Sequence, residues 1–257
     1  MNIKKITLLL SLSLLAASIS FSQVKNGVQD KLERLYEDGR YEDCAFRAER
    51  MLFKGKHKGD PEILLYVAMS YNKIYMLSKI DETVVEKEPD YAKAYDQALR
   101  FAIDAKKRDR RNEEIFPDNN DVLEEIVYNG LPIADLYITE KRYTKASALY
   151  RKFLRLVNNQ HIEFIKAVLD LYSLDKVAAN EVFEKFFPAL QENKLEKNHD
   201  TEYLMQKGFV LYHDFLIEED SIYFADSAKF ILRQGLRLFP DDYEMTQRLF
   251  PPKDEEK

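Results

Sequence analysis

Residues 136–157 read LYITEKRYTKASALYRKFLRLV, and this stretch decides the fold. Tyr137 closes one helix, Lys141-Arg142-Tyr143 makes a turn, and Ala146, Tyr150 and Phe153 then recur at offsets of four and three. That spacing puts them on one face of a second helix. A small residue at Ala146 lets two helices approach, and the aromatics fill the space beside it. Upstream, Gly130-Leu131-Pro132 falls inside the first helix and predicts a kink or break near Asn129.

The same spacing recurs elsewhere. Near the start, Leu32, Leu35 and Tyr36 form an apolar stripe, Gly39-Arg40-Tyr41 a turn, and Cys44, Ala48 and Met51 repeat the offsets of four and three. Asp60-Pro61 opens the next helix with a capping residue and a proline at its first position; Leu64, Val67, Ala68 and Tyr71 follow. An acidic insertion over residues 76–90 precedes Tyr91, Tyr95, Ala98, Ala102 and Ala105, and a basic run over residues 106–111 ends that helix where its dipole favours cations. From His161, Ile165, Val168, Leu169 and Tyr172 line a first helix; Val177, Ala179, Phe183 and Phe186 line a second, expected to stop at Pro188. After a charged connector over residues 191–201, Leu204, Gly208 and Leu211 precede Ala228, Leu232 and Gly235, with Pro240 closing the pair.

This arrangement resembles the tetratricopeptide repeat (TPR). That family has a tyrosine ending its first helix, an aromatic after the turn, a small residue early in the second helix and a proline twelve positions further on, as at Ala228 and Pro240. The resemblance implies an all-α fold, an α-solenoid of about five antiparallel helix pairs with inserted loops. The marker residues Cys44, Ala98, Ala146, Ala179 and Ala228 are separated by 54, 48, 33 and 49 positions. Only one interval equals the nominal period of about 34, so the array is divergent.

Residues 1–22 read as a signal peptide: Lys4 and Lys5 form a basic start, residues 6–19 an apolar stretch, and Ser20-Phe21-Ser22 a small-x-small cleavage signal. The apolar run is short of the roughly 20 residues a bilayer demands, so no integral span is expected after cleavage. Residues 23–250 then form one TPR-like helical repeat domain and residues 251–257 a disordered charged tail. Formal net charge is −6, and loss of Lys4 and Lys5 with the leader takes it to −8. That acidity argues against nucleic acid as a partner. The single cysteine, Cys44, cannot form an internal disulfide and reads as a small apolar filler.

No phosphate loop, nucleophile elbow, zinc-protease helix or cysteine pair occurs, and neither a cofactor nor a metal is expected. His199-Asp200 and His213-Asp214 are adjacent pairs whose side chains leave a helix about 100° apart. They are expected not to converge, and all four histidines to lie solvated on the surface. Most of the 16 tyrosines and 16 phenylalanines fall at core spacing.

The family resemblance implies a concave face lined by first-helix residues offset from the buried stripe. It nominates Leu65, Met69, Asn72 and Lys73, then Asp135 and Ile138, then Met205, Phe209 and Tyr212. Asn72 and Lys73 are only a fragment of the family's carboxylate clamp, so capture of a C-terminal carboxylate is not implied. On this reading Met69→Glu or Phe209→Glu removes partner binding without changing the melt. The expected function is a non-enzymatic adaptor or scaffold, exported to the periplasm or secreted, that holds a protein or peptide partner and associates peripherally with the bacterial cell envelope. The rivals are a structural subunit of an envelope or secretion complex, and a ligand-binding or hydrolytic protein with its site in the inserted segments.

Overall fold

The computed structural model describes residues 29–80, 93–109, 115, 119–195 and 198–251. The leader, the acidic residues 81–90, Arg110 and Arg111 of the basic run, and residues 252–257 of the tail lie outside the described residues. Within them the chain is all-helical, as expected, and forms eleven α-helices: α1 (Gln29–Glu37), α2 (Tyr41–Leu52), α3 (Pro61–Ile80), α4 (Ala94–Asp109), α5 (Asn120–Thr139), α6 (Tyr143–Phe153), α7 (Gln160–Tyr172), α8 (Lys176–Gln191), α9 (Glu202–Glu219), α10 (Ala225–Leu238) and α11 (Tyr243–Leu249).

The turns show the internal repetition most directly. Gly39, Lys141 and Leu174 all adopt a left-handed backbone, with φ of 72°, 56° and 64°. The residues after them, Arg40, Arg142 and Asp175, have nearly the same φ and ψ: −87° and 58°, −89° and 54°, −96° and 61°. In each turn the left-handed residue donates its N–H to the carbonyl three residues back and its successor donates five back, as in Arg142 N to Tyr137 O at 2.7 Å. This double bond satisfies the last carbonyls of the first helix and reverses the chain into the second. The α1–α2, α5–α6 and α7–α8 connections therefore share one geometry.

Packing links most neighbours in sequence and several helices two apart: α1 meets α2 and α3, α3 meets α4 and α5, and α7 meets α6, α8 and α9. The core has three lobes. Leu32, Leu35, Cys44 and Ala48 meet Ile63 and Val67 of α3 in the first lobe. Leu64, Leu65, Ala68 and Met69 of α3 belong to the second, with Tyr150, Phe153, Ile162 and Ile165. Phe164, Val168 and Leu171 of α7 belong to the third, with Phe183, Phe186, Phe209 and Met245.

Neither Pro132 nor Pro188 ends its helix. Helix α5 runs through Pro132 without a break; just before it, the α4 aromatic Tyr95 packs against Gly130 and its hydroxyl donates to Ile126 O at 2.9 Å. A Cβ at Gly130 would lie 1.7 Å from that hydroxyl, so only glycine admits the ring. Helix α8 likewise continues past Pro188 to Gln191, with Glu192 N bonded to Pro188 O at 3.0 Å.

Candidate binding surface

The structure divides the nine nominated residues. Leu65, Met69 and Asn72 on α3, Ile138 on α5, and Met205 and Phe209 on α9 are buried; Phe209 has no exposed surface at all. This corrects the expectation that they line an open groove. The reason is that α3 has seven consecutive apolar residues, Ile63 to Met69, all buried. A stretch apolar all round has neighbours all round, and over these two turns no face offset from a stripe is left. Tyr212, half-buried, stacks on Phe183 with ring centres 4.7 Å apart. Lys73 and Asp135 keep partial exposure, at 32% and 27% of their side chains.

Those two mark a polar seam along the first helices. Lys73 Nζ lies 2.7 Å from Glu125 Oε1 on α5, and Asn72 Nδ2 donates to the same oxygen at 3.2 Å. Asn129 Nδ2 donates back to Asn72 Oδ1 at 3.1 Å. Further along α5, Asp135 receives Lys207 Nζ of α9 at 2.7 Å, and the Tyr203 hydroxyl bonds to Asp135. Asn198 Nδ2 donates to the Tyr128 hydroxyl at 3.3 Å. The long side chains of α9 thus reach α5 across α7, closing the first-helix face at this level. Beneath the closure the Tyr150 hydroxyl is buried without a hydrogen-bond partner. Burial, then the charge of Asp135 and the Tyr203 phenol, push its pKa well above the usual value.

The seam stays open at α3 and α5. On α5, Glu125, Asn129, Pro132 and Leu136 fall at offsets of four, three and four, hence on one stripe, and Leu136 is 55% exposed. On α3, Leu77 stands one turn beyond Lys73 and is 45% exposed. Two apolar side chains thus flank a half-buried polar network. Compared with protein-family models, with curated proteins and with solved structures, the chain matches none. The surface has to be read from its own chemistry.

Outside the seam the histidines depart from expectation. His213 Nδ1 and Asp214 Oδ1 are 2.8 Å apart, so this pair does converge. Arg248 of α11 also grips both Asp214 oxygens at 3.0 Å. Burial raises the Asp214 pKa, but the His213 and Arg248 bonds and charges together outweigh it and hold the carboxyl below its usual range. Side-chain rotation closes the gap that helix geometry opens, and the third partner arrives from another element. His161 is also buried, with Nδ1 2.8 Å from Thr201 Oγ1. It borders a half-open cavity of about 160 Å³ with Leu190, Asn193, Glu202, Met205 and Phe239. His199 alone is strongly exposed, beside Glu202 at 3.4 Å.

Asp170, buried on α7, accepts from the Ser147 hydroxyl and from Lys166. This serine points its proton at a carboxylate that a lysine already neutralises, an arrangement that pins α6 to α7. In the basic run, Lys106 donates to Leu156 O, and burial lowers its pKa. Arg108 lies over Gly59. Lys106 is partly buried, whereas Lys107 and Arg108 stay exposed. Among the described residues no His, Cys, Asp and Glu group is placed to hold a metal, and no helix is long and apolar enough to cross a membrane. Sequence reasoning missed Glu125, Asn129, Tyr203 and Lys207. The stripe from Glu125 to Leu136 was legible from its spacing alone.

Proposed function

We propose that the chain is a non-enzymatic scaffold, exported to the bacterial cell envelope, built as a TPR-like α-solenoid and holding a protein or peptide partner on the α3–α5 face. The observation that carries this is the network of buried Asn72 with the partly exposed Lys73, Glu125 and Asn129, flanked by Leu77 and Leu136. Such a face offers hydrogen-bond donors and acceptors to a peptide backbone and apolar surface to its side chains. The repeated turn of α1–α2, α5–α6 and α7–α8 supports the solenoid reading, since one supersecondary unit is used at least three times.

The test is affinity purification from crosslinked envelopes with the unaltered chain, Lys73→Glu and Leu136→Glu. Leu136→Glu falls on an exposed position and is expected to change stability by no more than about 0.5 kcal/mol; Lys73→Glu also breaks the pair with Glu125, so its melt is measured beside its binding. Each is expected to remove the co-purifying partner. Full retention by both variants defeats the α3–α5 assignment.

A further inference from the structure

We infer that the edge formed by the α7–α8 and α9–α10 turns is a second docking surface, fitted to a basic amphipathic segment of a partner protein. Four large apolar side chains stand out into solvent there: Leu174 at 83% exposure, Val177 at 73%, Ile222 at 90% and Tyr223 at 78%. They are held out by ordered backbone. Asp175 Oδ1 accepts from Ala178 N at 3.3 Å, and Asp220 Oδ1 accepts from Ile222 N and Tyr223 N at 2.9 Å each. Lys176 spans the two turns, with its Nζ 2.8 Å from Glu219 Oε2 and 5.7 Å from the centre of the Phe215 ring. The two turns therefore lie beside one another.

Leu174 makes the edge unlike the other turns. Its φ of 64° is a conformation that glycine adopts freely and a branched side chain does not. The equivalent positions hold Gly39 and Lys141, one without a side chain and one with a charged side chain suited to water. A leucine here is unfavourable for the backbone and for solvation alike. Neither feature benefits the isolated fold.

Charge selects the occupant. The two turns and their flanks carry Asp175, Glu218, Glu219, Asp220 and Asp226 against Lys176 alone, a balance of −4. Lys176 is itself paired with Glu219. A second copy would bring the same charge against itself, and an anionic lipid surface would be repelled. A segment with apolar anchors and lysine or arginine between them meets both features, with rim charges setting the association rate.

The probe is a fluorescent amphipathic peptide built only of leucine and lysine, titrated by anisotropy against the purified chain at two salt concentrations. Ile222→Ser with Tyr223→Ser is expected to weaken binding by about tenfold or more. Leu174→Gly is expected to weaken it while raising the melting temperature, which separates loss of the surface from loss of the fold. Phe46→Ser with Phe53→Ser, on exposed positions of the first hairpin, should leave affinity within about twofold. Equal weakening by the remote pair, or undiminished binding by the edge variants, overturns the inference. So does equal affinity for a leucine and glutamate peptide, edge-dependent pelleting with anionic vesicles, or a dimer in sedimentation that the edge variants abolish. None of these variants touches α3 or α5, so loss of the edge and loss of the α3–α5 site are read separately.

Discussion

Glu62 stands in the first turn of α3, where the helix dipole favours a carboxylate, yet one of its oxygens is enclosed without a hydrogen-bond partner. Asp60 already caps this terminus, accepting from Glu62 N at 3.1 Å and Ile63 N at 3.4 Å. Burial first, then the negative charges of Asp60 and Glu33, push the Glu62 pKa from 4.5 up to about 7. Burial wins over the dipole here. An acid whose folded pKa lies above its unfolded value destabilises the fold once ionised, so stability rises as pH falls from about 7 towards 4.5. Glu62→Gln is therefore expected to raise the melting temperature at pH 8, with the advantage shrinking towards pH 5. An equal effect at both pH values rules out this account. At this scale the capping role of Asp60 was legible because a cap is local. The meeting of His213, Asp214 and Arg248 was not, since 34 positions separate its last two members.

Helices α3 and α7 explain why the open-groove reading fails. Each was expected to bury one stripe and show the opposite face, but α3 is enclosed all round from Ile63 to Met69, and on α7 eight of the ten residues from Ile162 to Leu171 are fully or nearly fully enclosed. The clue was present in the uninterrupted apolar run of α3, which has no 3.6-residue alternation. Helix α9 has the same character near Phe209, whose ring lies 4.9 Å from that of Phe164 on α7. Close by, Gly208 leaves only enough room for Phe164, since a Cβ there would fall 2.7 Å from the ring. Phe209→Glu is thus expected to lower stability by about 3 kcal/mol or more, adding a buried charge to a lost aromatic. Circular-dichroism melting checks this, and an unchanged melt would show that Phe209 is accessible after all. The helices themselves were legible from spacing; the seating of Tyr95 of α4 against Gly130 of α5 was not, because the two lie far apart in the sequence.

At the scale of the molecule, the lobes of the core share α3 and α7 and have no boundary of their own. Ile162, Ile165 and Leu169 face the second lobe while Phe164, Val168 and Leu171 face the third. Leu169→Ala, at a fully buried position, is expected to cost about 2–5 kcal/mol. It should move the far-ultraviolet and near-ultraviolet dichroism transitions together, whereas two separated transitions would mean independent halves. Sequence periodicity by itself determined the helical class, the turns at Gly39 and Lys141 and most of the aromatic packing, because each depends on residues within a few positions of one another. Only the tertiary structure decided which face stays open. Lys207 meets Asp135 and Lys73 meets Glu125 across 72 and 52 positions, and a face is closed by whichever helix arrives against it, which no local spacing records.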